Sequence, residues 1–277
     1  MLATKVGLVD MTGEVSESDM AAAAAALNIQ VTRDLPQYWT VSATVYHLPN
    51  PHDIPQGFWP VMLVKTLPPG EGGFHMTRHN QPYAKVIVTP NSDEWTVDAS
   101  HEIVEMLVDP FGNRLQTSQS IEIVGGVIKD GPARFEYLVE ACDPCEADAH
   151  AYSIDGVMVS DFITPHFYDP GPSPGTRYSF TGAIKAPRQI LPGGYISWTD
   201  PVSGEMQQIL WVNPGEPPQL RTLGPASGAS LRQFVEQKTH ALVRDKRPKP
   251  GAEVTARRQT YRGHLAEAGR VRAREYV

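Results

Sequence analysis

The sequence predicts an α+β fold, and three observations support this. The chain has 277 residues, 41% of them hydrophobic, so it is long enough to bury a sizeable core. Its 25 prolines and 23 glycines are spread along the sequence, which favours many turns over a helix bundle. Segments rich in β-branched and aromatic residues accompany two segments with a helical pattern. We expect a mixed sheet with one important helix, then a hairpin-rich part and a basic tail.

The first predicted helix begins after Ser16. Ser16, with the acidic Asp19 three residues on, is a typical N-cap, and the helix is predicted to run through residues 20–27 toward Asp34. Strands are predicted over residues 39–48, 59–67 and 83–89, because these segments are rich in β-branched and aromatic residues and are bounded by Pro, Gly or Asn. The three strands should belong to one sheet.

The second predicted helix spans residues 96–108, and Pro110 ends it. At about 100° per residue it has a broad apolar face and one narrow polar stripe of about 100°. The stripe contains Asp98, His101, Glu102, Glu105 and Asp109. A charged stripe is usually a solvated face, but Glu105 and Asp109 are like charges four residues apart with no Lys or Arg to relieve them. A bound cation would turn this repulsion into attraction, so both interpretations stay open.

Beyond this helix the pattern predicts β-hairpins. The predicted pairs are 121–129 with 135–141, 152–154 with 157–162 around Asp155-Gly156, and 195–198 with 207–211. The chain is therefore divided into three segments. We expect residues 1–170 to form the domain that contains the polar stripe and its candidate metal site, residues 171–230 to form a Pro-rich hairpin segment that packs on it, and residues 231–277 to form a basic tail.

Composition narrows the possible partners and the compartment. Residues 231–277 carry 12 of the 24 Lys and Arg but 5 of the 31 Asp and Glu, a net charge of +7. We interpret this tail as a solvated appendage whose partner is unknown, and not as a nucleic-acid site, since no motif that reads nucleic acid accompanies the charge. The N-terminus lacks the pattern of a secretory signal, and no apolar run approaches the roughly 18 residues of a bilayer span. We expect a cytoplasmic chain without membrane insertion.

The two cysteines, Cys142 and Cys145, form a CxxC pair. Two cysteines cannot supply a disulfide framework, and one CxxC cannot close a tetrahedral zinc site without two further ligands. The strand-to-helix context of a redox pair is also missing. We expect one buried cysteine and one small residue at a turn.

The polar stripe carries a metal-binding pattern. His101 and Glu105 are one helical turn apart and can contact one ion, while Glu102 can reach a water beside it. This is the His-Glu-x-x-His helix with Glu in place of the second His. Zinc bound by three protein groups lowers the pKa of its water toward about 7. Glu102 would accept the proton and later pass it to the leaving amine.

A third ligand must come from farther along the chain. Glu140 is the first choice, since alternation places it with Cys142 on one side of a predicted strand; Asp143 and His166 remain alternatives. Tyr168 is predicted to donate to the oxyanion at the scissile carbonyl, although a core tyrosine is the simpler interpretation. Two further histidines, His75 and His79, are expected on the rim of the cleft.

A family resemblance is carried by two stretches of sequence. They are Ser100-His-Glu-Ile-Val-Glu-Met-Leu-Val-Asp-Pro110 and Glu140-Ala-Cys-Asp143. Together they resemble the Ser-His-Glu-x-x-Glu…Asp-Pro…Glu-x-x-Asp pattern of bacterial zincin-like proteins, and they are similar to that of plant exordium-type proteins. Residues 28–170 resemble a bacterial family of metallopeptidases. This resemblance implies a zincin-like sheet with an active-site helix, the ligands His101, Glu105 and Glu140, and Glu102 as base. In several zincins an edge strand before the helix aligns the substrate, and residues 72–75 and 81–88 stand at that place.

The sequence thus predicts a zinc-dependent peptidase or amide hydrolase that acts on a peptide or protein substrate. The alternative is a non-enzymatic protein with a calcium site that stabilises a binding surface, and with a basic tail that docks a partner. The all-oxygen ligands of that site would be Glu105, Asp109, Glu140 and Asp143.

Overall fold

A computed structural model describes residues 3–68, 72–89, 92–228 and 230–243 of the chain. Within these ranges the α+β prediction is confirmed, with two five-stranded sheets, one two-stranded sheet and three α-helices. The elements are β1 (Thr4–Asp10), α1 (Glu17–Ile29), β2 (Ala43–His47), β3 (Phe58–Val64), β4 (Gly73–Arg78), β5 (Gln81–Ile87), α2 (Glu94–Val108), β6 (Leu115–Val124), β7 (Val127–Leu138), β8 (Tyr152–Ile154), β9 (Val157–Val159), β10 (Tyr195–Thr199), β11 (Glu205–Leu210), β12 (Gln219–Pro225) and α3 (Leu231–Val243).

The first sheet has the strand order β2-β1-β3-β5-β4. Strands β2, β1, β3 and β5 are parallel, whereas β4 is antiparallel to β5 and forms one edge. The predicted strands 39–48, 59–67 and 83–89 correspond to β2, β3 and β5. Strand β1 was not predicted, although it lies between β2 and β3. Its residues 6–9 are all buried, so it lacks the alternation by which a half-exposed strand is recognised.

The loop between β1 and α1 is ordered by a carboxylate. Asp10 Oδ1 accepts the backbone N–H of Thr12 at 2.7 Å, and Asp10 Oδ2 accepts that of Val15 at 3.1 Å. Partial burial raises the pKa of Asp10, but the hydrogen bonds from Thr12 and Val15 outweigh this and set the pKa below its ordinary value of 3.8. The charged carboxylate therefore stabilises the turn that leads into α1.

Helix α1 begins as the sequence predicts. Ser16 Oγ accepts the backbone N–H of Asp19 at 3.1 Å, and this bond satisfies one of the free donors of the first turn. The chain then continues through a wider π-helical segment, Gln30–Asp34, and a short 3-10 turn, Leu35–Gln37. The helical course toward Asp34 is thus confirmed.

The second sheet is antiparallel, with the order β12-β11-β10-β7-β6. Strands β6 and β7 turn at Gly125-Gly126, which have φ angles of 61° and 78°. The predicted strand 121–129 was wrong because it ran through this turn. The hairpins β8–β9 and β10–β11 are confirmed, and β12 adds an unpredicted strand. The sheet combines strands from both sides of residue 170, where the first predicted boundary lies.

Helix α3 falls within the predicted basic tail, but it packs on the second sheet. Phe234 and Val235 are buried in a small apolar cluster that is separate from the main core. The other buried members of this cluster are Leu138, Tyr195, Met206, Leu210 and Leu223. In addition, Gln208 Nε2 donates to Thr239 Oγ1 at 2.9 Å. These residues are not a solvated appendage; residues 244–277 of the predicted tail lie outside the described part. Among the described residues, no helix combines the length and the apolar character that a membrane span requires.

Candidate metal centre

Buried side-chain hydrogen bonds fix the orientation of α2. Ser100 Oγ donates to Gln30 Oε1 at 2.8 Å and accepts the backbone N–H of Ser160 at 2.9 Å. One turn earlier, Thr96 Oγ1 donates to the carbonyl oxygen of Met158 at 2.8 Å. Helix α2 is therefore tied to the π-helical segment Gln30–Asp34 on one side and to β9 with its following residue on the other, which determines where its polar stripe points.

The polar stripe of α2 is buried over most of its length. The exposed fraction is 7% for His101, 3% for Glu102, 0% for Glu105 and 4% for Asp109. Three parts of the chain cover these residues: strand β4, the segment 139–146 and the start of α3. The interpretation of the stripe as a solvated face is thus wrong. Buried carboxylates need hydrogen-bond donors or cations nearby, because the loss of hydration in a protein interior costs about several kcal/mol per ion.

Two glycines allow β4 to lie directly against the helix. A Cβ atom on Gly73 would be 3.0 Å from Glu102 Cγ, and one on Gly72 would be 2.9 Å from Asp98 Oδ2. A side chain at either position would therefore force the carboxylate of Glu102 or Asp98, or the strand itself, to shift. This close approach places the backbone of β4 beside Glu102.

His75 on β4 lies inside the site and not on its rim. Its Nδ1 is 3.3 Å from Glu102 Oε2, and its Nε2 is 3.4 Å from the carbonyl oxygen of Asp109. The ring is also 4.0 Å from Glu105 Oε2. The predicted rim position was wrong for His75 because the alternation of β4 turns this side chain inward, whereas His79 lies exposed at the β4–β5 turn.

The segment 139–146 brings three more acidic residues to the helix. It follows β7 without forming the predicted strand, and it is anchored where the backbone N–H of Cys142 donates to Glu105 Oε1 at 3.0 Å. A 3-10 turn, Asp143–Cys145, then packs against Gly194, where a Cβ atom would be 2.6 Å from the carbonyl oxygen of Asp143. The acidic residues delivered in this way are Glu140, Asp143 and Glu146, and all are buried.

His101 lies between two carboxylates. Its Nε2 is 3.2 Å from Glu105 Oε2 and 3.3 Å from Asp143 Oδ1. Glu105, Asp143 and Glu140 also form a group whose potential ligand atoms all lie within 4.8 Å of one another. The structure thus brings His101 together with Glu105 and the alternative ligand Asp143. Glu140 lies near Glu105 and Asp143, but no potential ligand group among the described residues contains both His101 and Glu140.

Some carboxylate atoms of this group accept no hydrogen bond. Among the described residues, Oδ2 of Asp143 and Oε1 of Glu140 are buried without a hydrogen-bond donor. Burial and the neighbouring Glu105 raise the pKa of Asp143 well above its usual range, and His101 offsets only part of this. These carboxylate oxygens could therefore accept a bond from a further donor or bind a cation.

The charges of His101 and Glu105 support each other. Burial disfavours the imidazolium, but Glu105 and Asp143 outweigh this and raise the pKa of His101 well above its ordinary value. Burial likewise opposes the charged form of Glu105, yet Arg232 and His101 hold the pKa of this carboxyl well below its usual range. Glu105 is therefore an anion at neutral pH, the form in which a carboxylate binds a metal, whereas His101 would have to release a proton when a metal binds.

Arg232 of α3 enters the same group from the other side. Its Nη2 donates to Glu102 Oε2 at 3.0 Å and to Glu236 Oε1 at 2.9 Å. Its Nη1 donates to Glu105 Oε2 and to Glu140 Oε2. The guanidinium group is thus a buried cation surrounded by four carboxylates.

The remaining predicted site residues lie apart from this group. His166 is exposed and pairs with Asp169, with Nδ1 2.8 Å from Oδ2, and it belongs to none of the potential ligand groups of the described residues. The Tyr168 ring is buried against Tyr137 and Phe167, and no hydrogen bond joins its hydroxyl to the group. Asp109 Oδ2 accepts the backbone N–H of Arg114 at 2.7 Å and belongs to none of the potential ligand groups, so the predicted four-carboxylate calcium set does not assemble.

Both cysteines are buried free thiols. Burial and the nearby Glu105 raise the pKa of Cys142 well above its ordinary value, and burial does the same for Cys145. Cys142 Sγ is 3.8 Å from the carbonyl oxygen of His101 and forms a further potential ligand group with His101 and Glu105. The pair nevertheless packs as protonated side chains at the 3-10 turn.

Sequence patterns missed His75, Glu146, Arg232 and Glu236 as members of the site. The inward direction of His75 could have been inferred from period-2 alternation along β4. Arg232 and Glu236 are four residues apart on an amphipathic helix, but no local pattern indicates that the other partners of Arg232 lie more than ninety residues earlier. No family model, no curated protein and no solved structure matches the chain.

Proposed function

We propose that the chain is a zincin-like zinc hydrolase that cleaves peptide or amide bonds. The proposed ligands are His101, Glu105 and Asp143, with Glu140 as an adjacent fourth carboxylate. The observation that carries the proposal is the position of His101 Nε2, 3.2 Å from Glu105 Oε2 and 3.3 Å from Asp143 Oδ1. Ligands about 2.0–2.1 Å from a tetrahedral zinc ion are about 3.3–3.4 Å from one another.

The types of ligand favour zinc over calcium. Calcium takes about six to eight oxygen ligands, whereas zinc accepts imidazole nitrogen together with carboxylate oxygen. His101 Nε2 lies within 3.3 Å of carboxylate oxygens of both Glu105 and Asp143, and Asp109 belongs to none of the potential ligand groups of the described residues. Zinc, when bound, supplies a Lewis acid that makes water a nucleophile at neutral pH.

The chain itself supplies a base and a surface for the substrate. Glu102 follows the first ligand, and its Oε2 is the atom proposed to take a proton from water and to return it to the leaving amine. His75 orients this carboxylate through the 3.3 Å contact with Nδ1. Strand β4 has β5 as its only partner among the described strands, so its other edge can align an extended peptide as an additional strand.

Metal analysis of the purified full-length protein tests the proposal. The wild type is expected to bind about one zinc ion per chain, and His101→Ala and Glu105→Ala are expected to lose it. Glu102→Gln should keep the metal and lose hydrolysis of a peptide library followed by mass spectrometry. His166→Ala is the matched control, because this histidine pairs with Asp169 at the surface and should leave the zinc content unchanged.

A wild-type protein that binds no transition metal after incubation with zinc would overturn the proposal. If the wild type binds calcium and the His101→Ala variant still binds it, an all-oxygen site would be favoured instead. Zinc binding without hydrolysis of any peptide or amide would restrict the conclusion to a structural metal site.

A further inference from the structure

Helix α3 is fitted closely against the candidate metal centre. The backbone N–H of Arg232 donates to the carbonyl oxygen of Gly112 at 3.0 Å, and that of Leu231 donates to Asn113 Oδ1 at 3.0 Å. A Cβ atom on Gly112 would be 2.9 Å from Arg232 Cβ, so the absence of a side chain there allows the helix to approach. These contacts aim the guanidinium of Arg232 at α2.

The guanidinium bonds the oxygens that a metal ion would need. Glu105 Oε2, which accepts from Arg232 Nη1, is also the oxygen 3.2 Å from His101 Nε2. The same Nη1 contacts Glu140 Oε2, and Nη2 contacts the oxygen of Glu102 proposed to act as base. A guanidinium and a divalent cation at this position would repel each other, and both require the same lone pairs.

The opening beside the start of α3 is small. The opening between β4 and the start of α3 has a volume of about 50 Å³ and is lined by His75, Thr77, Gly112 and Arg232 among others. A water molecule occupies about 30 Å³ in the liquid, so the opening has room for about one or two of them. This opening is therefore too small to admit an extended peptide.

We propose that Arg232 is an internal inhibitor of the candidate enzyme, and that zinc and the Arg232 guanidinium compete for the same carboxylates. This inference rests on the proposed function. We call the arrangement in this structure, with α3 packed beside α2, the closed state, and we call Glu102, Glu105, Glu140 and Asp143 the acidic group. In the closed state, Arg232 offsets the negative charge of this group and blocks Glu102. Movement of α3 away from α2 would free the ligands, the base and the edge of β4 together.

Zinc titration of the full-length, metal-free protein against a chelating dye tests this competition. Arg232→Ala is expected to bind zinc at least about ten-fold more tightly than the wild type. In the wild type zinc must displace the hydrogen bonds from Arg232, and the loss of even one such charge-assisted bond lowers the zinc affinity by about ten-fold. Arg221→Ala is the matched control. Arg221 also joins α3 to the second sheet, through the carbonyl oxygen of Lys238, but it does not touch the acidic group, so its variant should bind zinc like the wild type.

Thermal melting provides a second measurement. Arg232→Ala leaves buried carboxylates without their cation, so it should melt below the wild type without zinc and show the larger rise with zinc. Should this variant fail to fold without metal, Arg232→Lys carries the test. Lysine keeps one charge but lacks the planar pair of donors, and its zinc affinity should lie above that of the wild type.

The outcomes separate the two proposals. Equal zinc affinities in the wild type, Arg232→Ala and Arg232→Lys would overturn the competition while leaving the metal site in place. Absence of zinc binding in all of them would overturn the proposed function itself. Tighter binding in Arg232→Ala that the added change His101→Ala abolishes would support both.

Discussion

His101 Nε2 on α2 and Asp143 Oδ1 on the turn after β7 lie 3.3 Å apart. Helix α2 packs against β4 and β5 of the first sheet, whereas β7 belongs to the second sheet. The candidate metal centre therefore forms where elements of the two sheets meet, and neither sheet supplies it alone.

This contact predicts which carboxylate is the third ligand. Asp143→Asn should weaken zinc binding by more than about 100-fold, since loss of a group that only orients a ligand already costs about 10- to 100-fold. Glu140→Gln should cost less, because Glu140 Oε2 is bonded to Arg232. Zinc affinities of both variants can be compared with Asp169→Asn, a surface control. The reverse order would make Glu140 the third ligand, as the sequence pattern suggested.

The glycine at the start of β4 predicts a separate effect on hydrolysis. Gly73→Ala would place a methyl group 3.0 Å from Glu102 Cγ and Oε1, so the base and the edge strand must shift. We expect peptide hydrolysis to fall while zinc content stays near that of the wild type, because Glu102 is not a proposed ligand. Gly171→Ala is the control, since nothing lies within 4 Å of its added Cβ. Unchanged hydrolysis in Gly73→Ala would contradict the role of this contact.

The two buried hydrogen bonds of Ser100 Oγ allow a prediction of how strongly they hold α2 in place. Ser100→Ala would leave Gln30 Oε1 and the Ser160 N–H without their partner in a fully buried position. The free energy of unfolding should fall by about 1–3 kcal/mol, as measured by urea denaturation. Ser173→Ala, at an exposed serine, should change it by less than about 0.5 kcal/mol. A loss in Ser100→Ala no larger than in this control would show that the bridge adds no stability.

Asp10 predicts a pH dependence of folding stability. Its pKa in the folded chain lies below the ordinary value of 3.8, so its contribution is fully present above 3.8 and is lost as the pH falls through the lowered pKa. The wild type should melt above Asp10→Asn at neutral pH, and the difference should shrink once the pH falls below 3.8. Melting curves across this range test the sign; a difference that grows on acidification would contradict it.

The sequence located the central helix because its apolar and polar residues separate clearly at helical spacing. Periodicity groups His101, Glu102 and Glu105 on one face, but it cannot tell whether that face meets water or protein. That outcome depends on β4 and on the segment around Asp143, which arrive from both directions along the chain. The buried state of the stripe was therefore left open, although its members were correctly named.

Other parts could not be predicted for identifiable reasons. Strand β1 is covered on both faces and shows no alternation, and the Gly125-Gly126 turn was overlooked within a continuous run of β-forming residues. Arg232 was assigned to a solvated tail because it stands in a basic segment. Its partners Glu105 and Glu140 are far away in sequence, and only tertiary packing brings them together.

The small apolar cluster beneath α3 has a further consequence. Phe234 and Val235 anchor the helix there, apart from the main core, so detachment of the helix would expose this small cluster on the second sheet and leave the main core covered. Substitutions among these apolar residues would then set how often the acidic group meets solvent. Related chains could therefore differ in how readily α3 opens the site, even if all the proposed ligands and the proposed base were identical.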